Sequence, residues 1–172
     1  MKQQSPFVVI CHEFFDAMPA FIFEYSELGW VEKLVDKAPE IAKGTDFAWT
    51  NSEPFSKSVK KILNPDVFFE DKELKSKLKV GDRIEICPKS LVLANSIAEL
   101  LGKVDGALIA VDYGANHAYS DSLRGISGHK YLRNDQILEV PGEVDLSTYV
   151  NFRALSEAIM RVDGMKKPKI IT

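Results

Sequence analysis

Two short apolar runs each end in a cluster of polar residues. FVVIC at 7–11 leads into His12, Glu13 and, one turn later, Asp16. ALIAV at 107–111 leads into Asp112, Tyr113 and Gly114. Continuous β-branched runs of this length read as strands buried on both faces, as in a parallel sheet. Ligands of open α/β sheets bind beyond the carboxyl ends of the strands. If the two runs are parallel neighbours, both clusters share one crevice. Glu13 and Asp16 stand three residues apart, a spacing that puts both carboxylates on the same side if the segment turns into a helix. Such a pair can hold a guanidinium by bidentate hydrogen bonds, or do acid/base work if one pKa is raised. It can also simply cap the following turn or helix, where carboxylates are favoured, and spacing alone leans to that role. Gly114 permits a positive φ or the close approach of a ligand.

A third group lies in SLRGISGHKYL at 122–132, where Arg124, His129 and Lys130 stand among glycines. It reads either as a basic loop over a carboxylate or phosphate, or as a glycine-rich surface turn with solvated charges. The chain contains no GxxxxGK[ST] phosphate loop and no GxGxxG after a strand. Its two cysteines, Cys11 and Cys87, and its three histidines have no short spacing that would bind zinc, so no metal ligands are assigned. A hydrolase built on His129 and Asp145 would lack the GxSxG nucleophile elbow.

The elements that must position these groups are legible as patterns. Ala20–Tyr25 and Trp30–Val35 read as a hairpin with Gly29 in its turn, and Phe47–Thr50 as a short third strand. A helix is expected over 53–63, capped by Asn51 or Ser52 and stopped by Asn64–Pro65. The charge-dense stretch 69–83 reads as a solvated connection. Arg83–Cys87, a helix from Pro88 to a C′ glycine at Gly102, and Gly106–Asp112 form a strand–helix–strand block, the βαβ pattern. Leu91, Ala94, Ile97, Ala98 and Leu101 keep helical spacing within it. Strands are expected near Lys130–Leu132 and Gln136–Val140. A closing helix is expected over Phe152–Arg161, with Leu155, Ala158 and Ile159 on one face.

Composition limits the classes of function. With 172 residues, 45% of them apolar and 27% charged, the chain has the make-up of a folded core and not of a disordered or collagenous one. A net charge of −3 argues against nucleic acid as the main partner. The apolar runs are far too short to span a bilayer. The first residues are too short in apolar length for a secretory signal and too acidic for a mitochondrial presequence. A parallel strand that begins at residue 7 also lacks upstream partners.

Taken in order, the motifs resemble a known family. HEFFDAMP at 12–19, followed by GWVEKLVD at 29–36, resembles the NEFFDALP…GW-x-E-x-L-V-D signature of the MidA-like S-adenosylmethionine-dependent methyltransferases. VGDRIEICPKS at 80–90, ALIAVDYG at 107–114, DSLRGISGHKYL at 121–132 and PGEVDLSTYVNFRAL at 141–155 resemble later family blocks in the family's order. The family's NEFFD asparagine is His12 here, and the aspartate of its VDF is Asn151.

The resemblance implies an α/β chain with a partial, Rossmann-like methyltransferase fold, the C-terminal half, carrying an inserted β-hairpin and helical segment. It divides the chain into a core strand and motif at 7–19, an insertion at 20–80, and a βαβ and closing region at 82–172. The implied activity is methyl transfer from S-adenosylmethionine to a guanidinium nitrogen of a protein arginine, in mitochondria and in the assembly of respiratory complex I. Glu13 and Asp16 would hold the guanidinium and His12 would face the methyl donor. Asp112, Tyr113, Gly114, Arg124 and His129 would line the crevice. The family's main glycine-rich cofactor loop lies upstream of NEFFD and has no counterpart in these 172 residues. The implied partners are therefore a protein substrate, a complex I subunit, and a missing N-terminal half, with no nucleic acid and no membrane span. The rival expectation is a non-catalytic binding or assembly protein that keeps the family surface without the cofactor.

Overall fold

The computed structural model describes residues 7–38, 46–65, 76–133 and 135–171. Along the chain, the strands are β1 (Val8–His12), β2 (Phe21–Ser26), β3 (Gly29–Lys37), β4 (Phe47–Asn51) and β5 (Arg83–Ile86). Helix α1 (Pro88–Val104) precedes β6 (Ala107–Val111), β7 (Gly114–Ala115), β8 (Arg124–Ser127) and β9 (Lys130–Leu132). Helix α2 (Asp135–Glu139), β10 (Asp145–Ser147), β11 (Val150–Asn151) and α3 (Phe152–Met160) close the series. The chain divides into two compact units. The first comprises Met1–Pro19, Cys87–Tyr119 and Thr148–Thr172; the second comprises Ala20–Ile86 and Ser120–Ser147.

In the first unit β1 and β6 pair in parallel, with Val8 opposite Ala107 and His12 opposite Val111. The pleat sends Val9, Cys11, Leu108 and Ala110 to one face. There they pack with Ala94 and Ala98 of α1 and Leu155 and Ile159 of α3. The other face carries Val8, Ile10, Ile109 and Val111, and it is exposed: Ile10 at 68% and Ile109 at 50%. The expectation of burial on both faces is thus corrected. The β-branched runs make both faces apolar, but the helices of this unit cover only one.

The helix after β5 has the predicted apolar face: Ala94, Ala98 and Leu101 are buried. It runs through Gly102 and ends at Asp105, whose φ of 56° supplies the left-handed cap. The C′ glycine expected at 102 therefore sits inside the helix, two residues before its last turn closes. Helix α3 begins at Asn151, whose side chain accepts the Ala154 N–H at 3.1 Å, and it buries Leu155, Ala158 and Ile159 as its spacing predicts.

The second unit holds an antiparallel sheet in the order β4–β3–β2–β5 and a smaller one in the order β10–β8–β9. The predicted hairpin is present: β2 and β3 join through Ser26–Gly29. Phe23, Trp30, Val59, Leu63 and Ile84 form the core of this unit. Two readings are corrected here. The strand–helix–strand block over 83–112 has its elements, but β5 pairs antiparallel with β2, and the parallel partner of β6 is β1. The alternation in Arg83-Ile84-Glu85-Ile86 explains this. Its polar side chains are engaged on their own, with Arg83 Nε 2.7 Å from Glu24 Oε2 and Glu85 accepting from the N–H groups of Ser122 and Leu123. The helix expected over 53–63 shrinks to a π-helical turn, Val59–Leu63. Ser52 does not cap it, because its Oγ accepts the Glu32 N–H at 2.9 Å and so ties the segment to β3.

A strand expected at 136–140 is instead the short helix α2, which buries the adjacent Ile137 and Leu138. Of the charge-dense stretch, 69–75 lies outside the described residues, and Ser76–Lys77 and Lys79–Asp82 are exposed.

Candidate active site

The carboxyl ends of β1 and β6 lie side by side, as the two clusters require. The ladder ends with the Glu13 N–H donating to the Val111 carbonyl at 2.9 Å. Glu13 then takes a left-handed φ of 45°. Residues 13–18 continue as bends and turns and not as a helix. The helical alignment of Glu13 and Asp16 is therefore not realised. Their side chains differ in setting: that of Glu13 is half exposed at 51%, while Asp16 is buried at 7%.

Asp112 is the centre of this turn. Its Oδ2 accepts the N–H groups of Phe14 at 3.0 Å, Phe15 at 2.9 Å and Asp16 at 3.3 Å. Its Oδ1 accepts the Tyr113 N–H at 2.8 Å. Burial pushes the Asp112 carboxyl above its ordinary pKa, and the nearby Asp16 carboxylate pushes it the same way, against the pull of the N–H donors. Burial, aided by the charge of Asp112, also raises the Cys11 thiol. Both cysteines are free.

Tyr113 links the two clusters, its hydroxyl donating to Glu13 Oε1 at 3.3 Å. His12 Nε2 lies 3.9 Å from the same oxygen, on an exposed ring. Gly114 forms the two-residue strand β7, paired in parallel with β11. A Cβ at Gly114 would stand 2.1 Å from the Val150 carbonyl oxygen. The close approach that Gly114 permits is thus that of the chain's own backbone and not of a ligand.

The first unit therefore gathers His12, Glu13, Asp16, Asp112, Tyr113 and Gly114. Arg124 and His129 belong to the second unit. Arg124 is a buried residue of β8, with its guanidinium 5.9 Å from the centroid of the Tyr131 ring. Gly128 and His129 form the two-residue turn between β8 and β9, with φ of 53° and 63°. Positive φ at both central positions is the type I′ pattern that suits a tight hairpin. The SLRGISGHKYL segment is thus a hairpin.

The segment Thr148–Val150, within the motif block at 141–155, completes the site through main-chain contacts. The Thr148 N–H donates to the Asp16 carbonyl at 2.9 Å, and the Val150 N–H to the Tyr113 carbonyl at 2.8 Å. Tyr149 between them meets Tyr119 edge-on at 4.8 Å. Burial, with Tyr149 beside it, raises the Tyr119 hydroxyl pKa.

These residues form one wall, and they do not by themselves fit a cradle for S-adenosylmethionine. Both oxygens of Asp112 are engaged by its own main chain, and Gly114 is closed by Val150. Glu13, beneath the Tyr113 hydroxyl and open to solvent, is the group suited to a cationic ligand.

Comparison with known proteins agrees with this fold. Residues 1–171 match the model of a family described as S-adenosyl-L-methionine-dependent methyltransferases. The protein arginine methyltransferase NDUFAF7, mitochondrial, of Danio rerio is 30% identical over 148 residues, 86% of this chain and 31% of that protein. The Homo sapiens protein of the same name is 27% identical over 146 residues, 85% of this chain and 29% of that one. The chain thus spans about a third of the length of the curated relatives it matches. A protein from Burkholderia thailandensis, solved with S-adenosyl-homocysteine bound, has the same fold at a TM-score of 0.65. It is 19% identical, and the match covers 94% of this chain and 39% of that one. The parallel β1–β6 pair under its helices, the motif turn at its carboxyl end and the match along the chain together assign this protein to the S-adenosyl-L-methionine-dependent methyltransferase family.

Proposed function

We propose that the chain takes part in methyl transfer to a guanidinium nitrogen of a protein arginine, with Glu13 and Asp16 as the guanidinium acceptors and His12 facing the donor. The observation that carries this reading is the Tyr113 hydroxyl on Glu13 Oε1, a 3.3 Å bond that joins the ends of two parallel strands. It orients a solvent-facing carboxylate at the position where α/β sheets bind ligands. S-adenosylmethionine, when bound to the family fold, supplies the methyl group. The part played by this chain is to orient the acceptor nitrogen and to keep its cation paired. Relatives named as mitochondrial protein arginine methyltransferases support the choice of arginine and of the mitochondrion. The family resemblance extends the reading to a complex I subunit as substrate. It also makes residues 20–80 an insertion in the methyltransferase core, with Asp112 and Tyr113 beside the acceptor pair.

Binding of acetyl-arginine amide and of its neutral analogue acetyl-citrulline amide, followed by NMR, tests this reading. The arginine compound is expected to shift Glu13 and Tyr113 resonances and the citrulline compound to leave them unmoved. Glu13→Gln should remove the response. Equal responses to the two probes would sink the acceptor role. Titration calorimetry with S-adenosylmethionine is expected to give little or no heat with these 172 residues alone.

A further inference from the structure

We propose that Asp112 is the positioning residue of this site: its carboxylate shapes the turn after β1 and so sets where Glu13 and Asp16 stand. The inference rests on the reading of those two residues as guanidinium acceptors.

Three successive backbone N–H groups, those of Phe14, Phe15 and Asp16, converge on the single oxygen Oδ2 at 2.9–3.3 Å. They do so because Glu13, at φ 45°, reverses the chain immediately before them. Successive N–H groups after a left-handed residue form a concave anion site, a nest. Here the anion comes from the chain itself, from a strand end 96–98 residues away. Without it three main-chain donors would lose their partner, and the two part-buried ones, on Phe15 and Asp16, would carry the larger cost.

The same carboxylate controls the second acceptor arm. Its Oδ1 takes the Tyr113 N–H, and Tyr113 carries the hydroxyl that bonds Glu13. Asp112 thereby holds both the turn that carries the acceptor pair and the residue whose hydroxyl bonds Glu13. An asparagine cannot replace it, because four N–H donors face two oxygens, and an amide offers one oxygen and an NH₂ donor. The titratable groups that face Asp112 are Asp16, whose charge opposes its ionisation, and Cys11 beneath it. Tyr113 follows it in sequence, and Glu13 immediately precedes the three N–H groups that Asp112 accepts. A guanidinium held by Glu13 and Asp16 would offset the negative charge around Asp112 and favour its ionised form.

The test is an NMR titration of the ¹⁵N-labelled chain. The amide resonances of Phe14, Phe15 and Asp16 are expected to follow one common carboxyl titration, with a midpoint above that of a solvated aspartate. Adding acetyl-arginine amide should lower that midpoint, a response that a purely structural turn would not give. Asp112→Asn should remove the titration and weaken the probe roughly tenfold, the scale of one charge-assisted hydrogen bond. Asp112→Glu, which keeps the charge but displaces it by one methylene, should retain the fold and still weaken the probe, and it serves if the asparagine variant does not fold. Three amides titrating independently, or wild-type probe affinity in the folded Asp112 variants while Glu13→Gln weakens it, would overturn the positioning role and leave the acceptor reading intact. Unchanged probe affinity in both Glu13→Gln and Asp16→Asn would overturn both.

Discussion

Residue-scale consequences follow from where single groups are held. Burial raises the folded pKa of Asp112 above its value in the unfolded chain, so between those two values the folded state binds more protons than the unfolded state. Stability then rises as pH falls through the folded pKa and levels off near the unfolded one. Urea unfolding from about pH 7 to about pH 4 should show this slope in the wild type, and Asp112→Asn should flatten it. Gly114→Ala would set a methyl group against the Val150 backbone, and a cost of about 1–3 kcal/mol is expected in thermal or denaturant unfolding. The two thiols should react unequally. Cys11 is buried with its pKa raised, whereas Cys87 is only partly covered, so maleimide should label Cys87 first under native conditions.

At the scale of elements, the caps and cores decide which segments persist. Asn151 accepts the Ala154 N–H at the start of α3. Asn151→Ala should therefore cost about 1 kcal/mol, and Asn151→Asp should restore the cap. The change from the family aspartate thus keeps the acceptor and drops only the charge. In the second unit Phe23 is fully buried between its sheet neighbours. Phe23→Ala should cost about 3–5 kcal/mol, read as a lower urea midpoint. The hairpin of β2 and β3 and the helices α1 and α3 were legible because each rests on a local period or a local turn. The strand expected at 136–140 was not, because Ile137 and Leu138 side by side fit a buried helix turn as well as a short strand. The helix expected over 53–63 lost its cap to a competitor 20 residues away, the Glu32 N–H. Nothing near Ser52 in sequence announces that partner.

For the molecule as a whole, the exposed face of the β1–β6 pair is the feature with the largest solution consequence. Val8, Ile10, Ile109 and Val111 form a contiguous apolar strip, since parallel register places Ile10 beside Ile109. Such strips attract hydrophobic dyes and partners. The chain should bind an anilinonaphthalene dye, and Ile10→Thr with Ile109→Thr should reduce its fluorescence without lowering the melting temperature by more than a few degrees; unchanged fluorescence would place the dye elsewhere. The sequence alone determined the two β-branched runs, the polar clusters that follow them and the amphipathic faces of α1 and α3. It also carried the ordered motifs that mark the methyltransferase family. All of these are properties of neighbours within a turn or a strand. Tertiary structure decided which strand pairs with which, so that β6 joins β1 while β5 joins β2. It also turned Asp112 from a crevice residue into the anion of a nest, and Gly114 from a ligand contact into room for Val150. The physical reason is the same in each case. The partners are main-chain N–H and C=O groups, which every residue carries alike and which meet only when chain segments far apart in sequence come together.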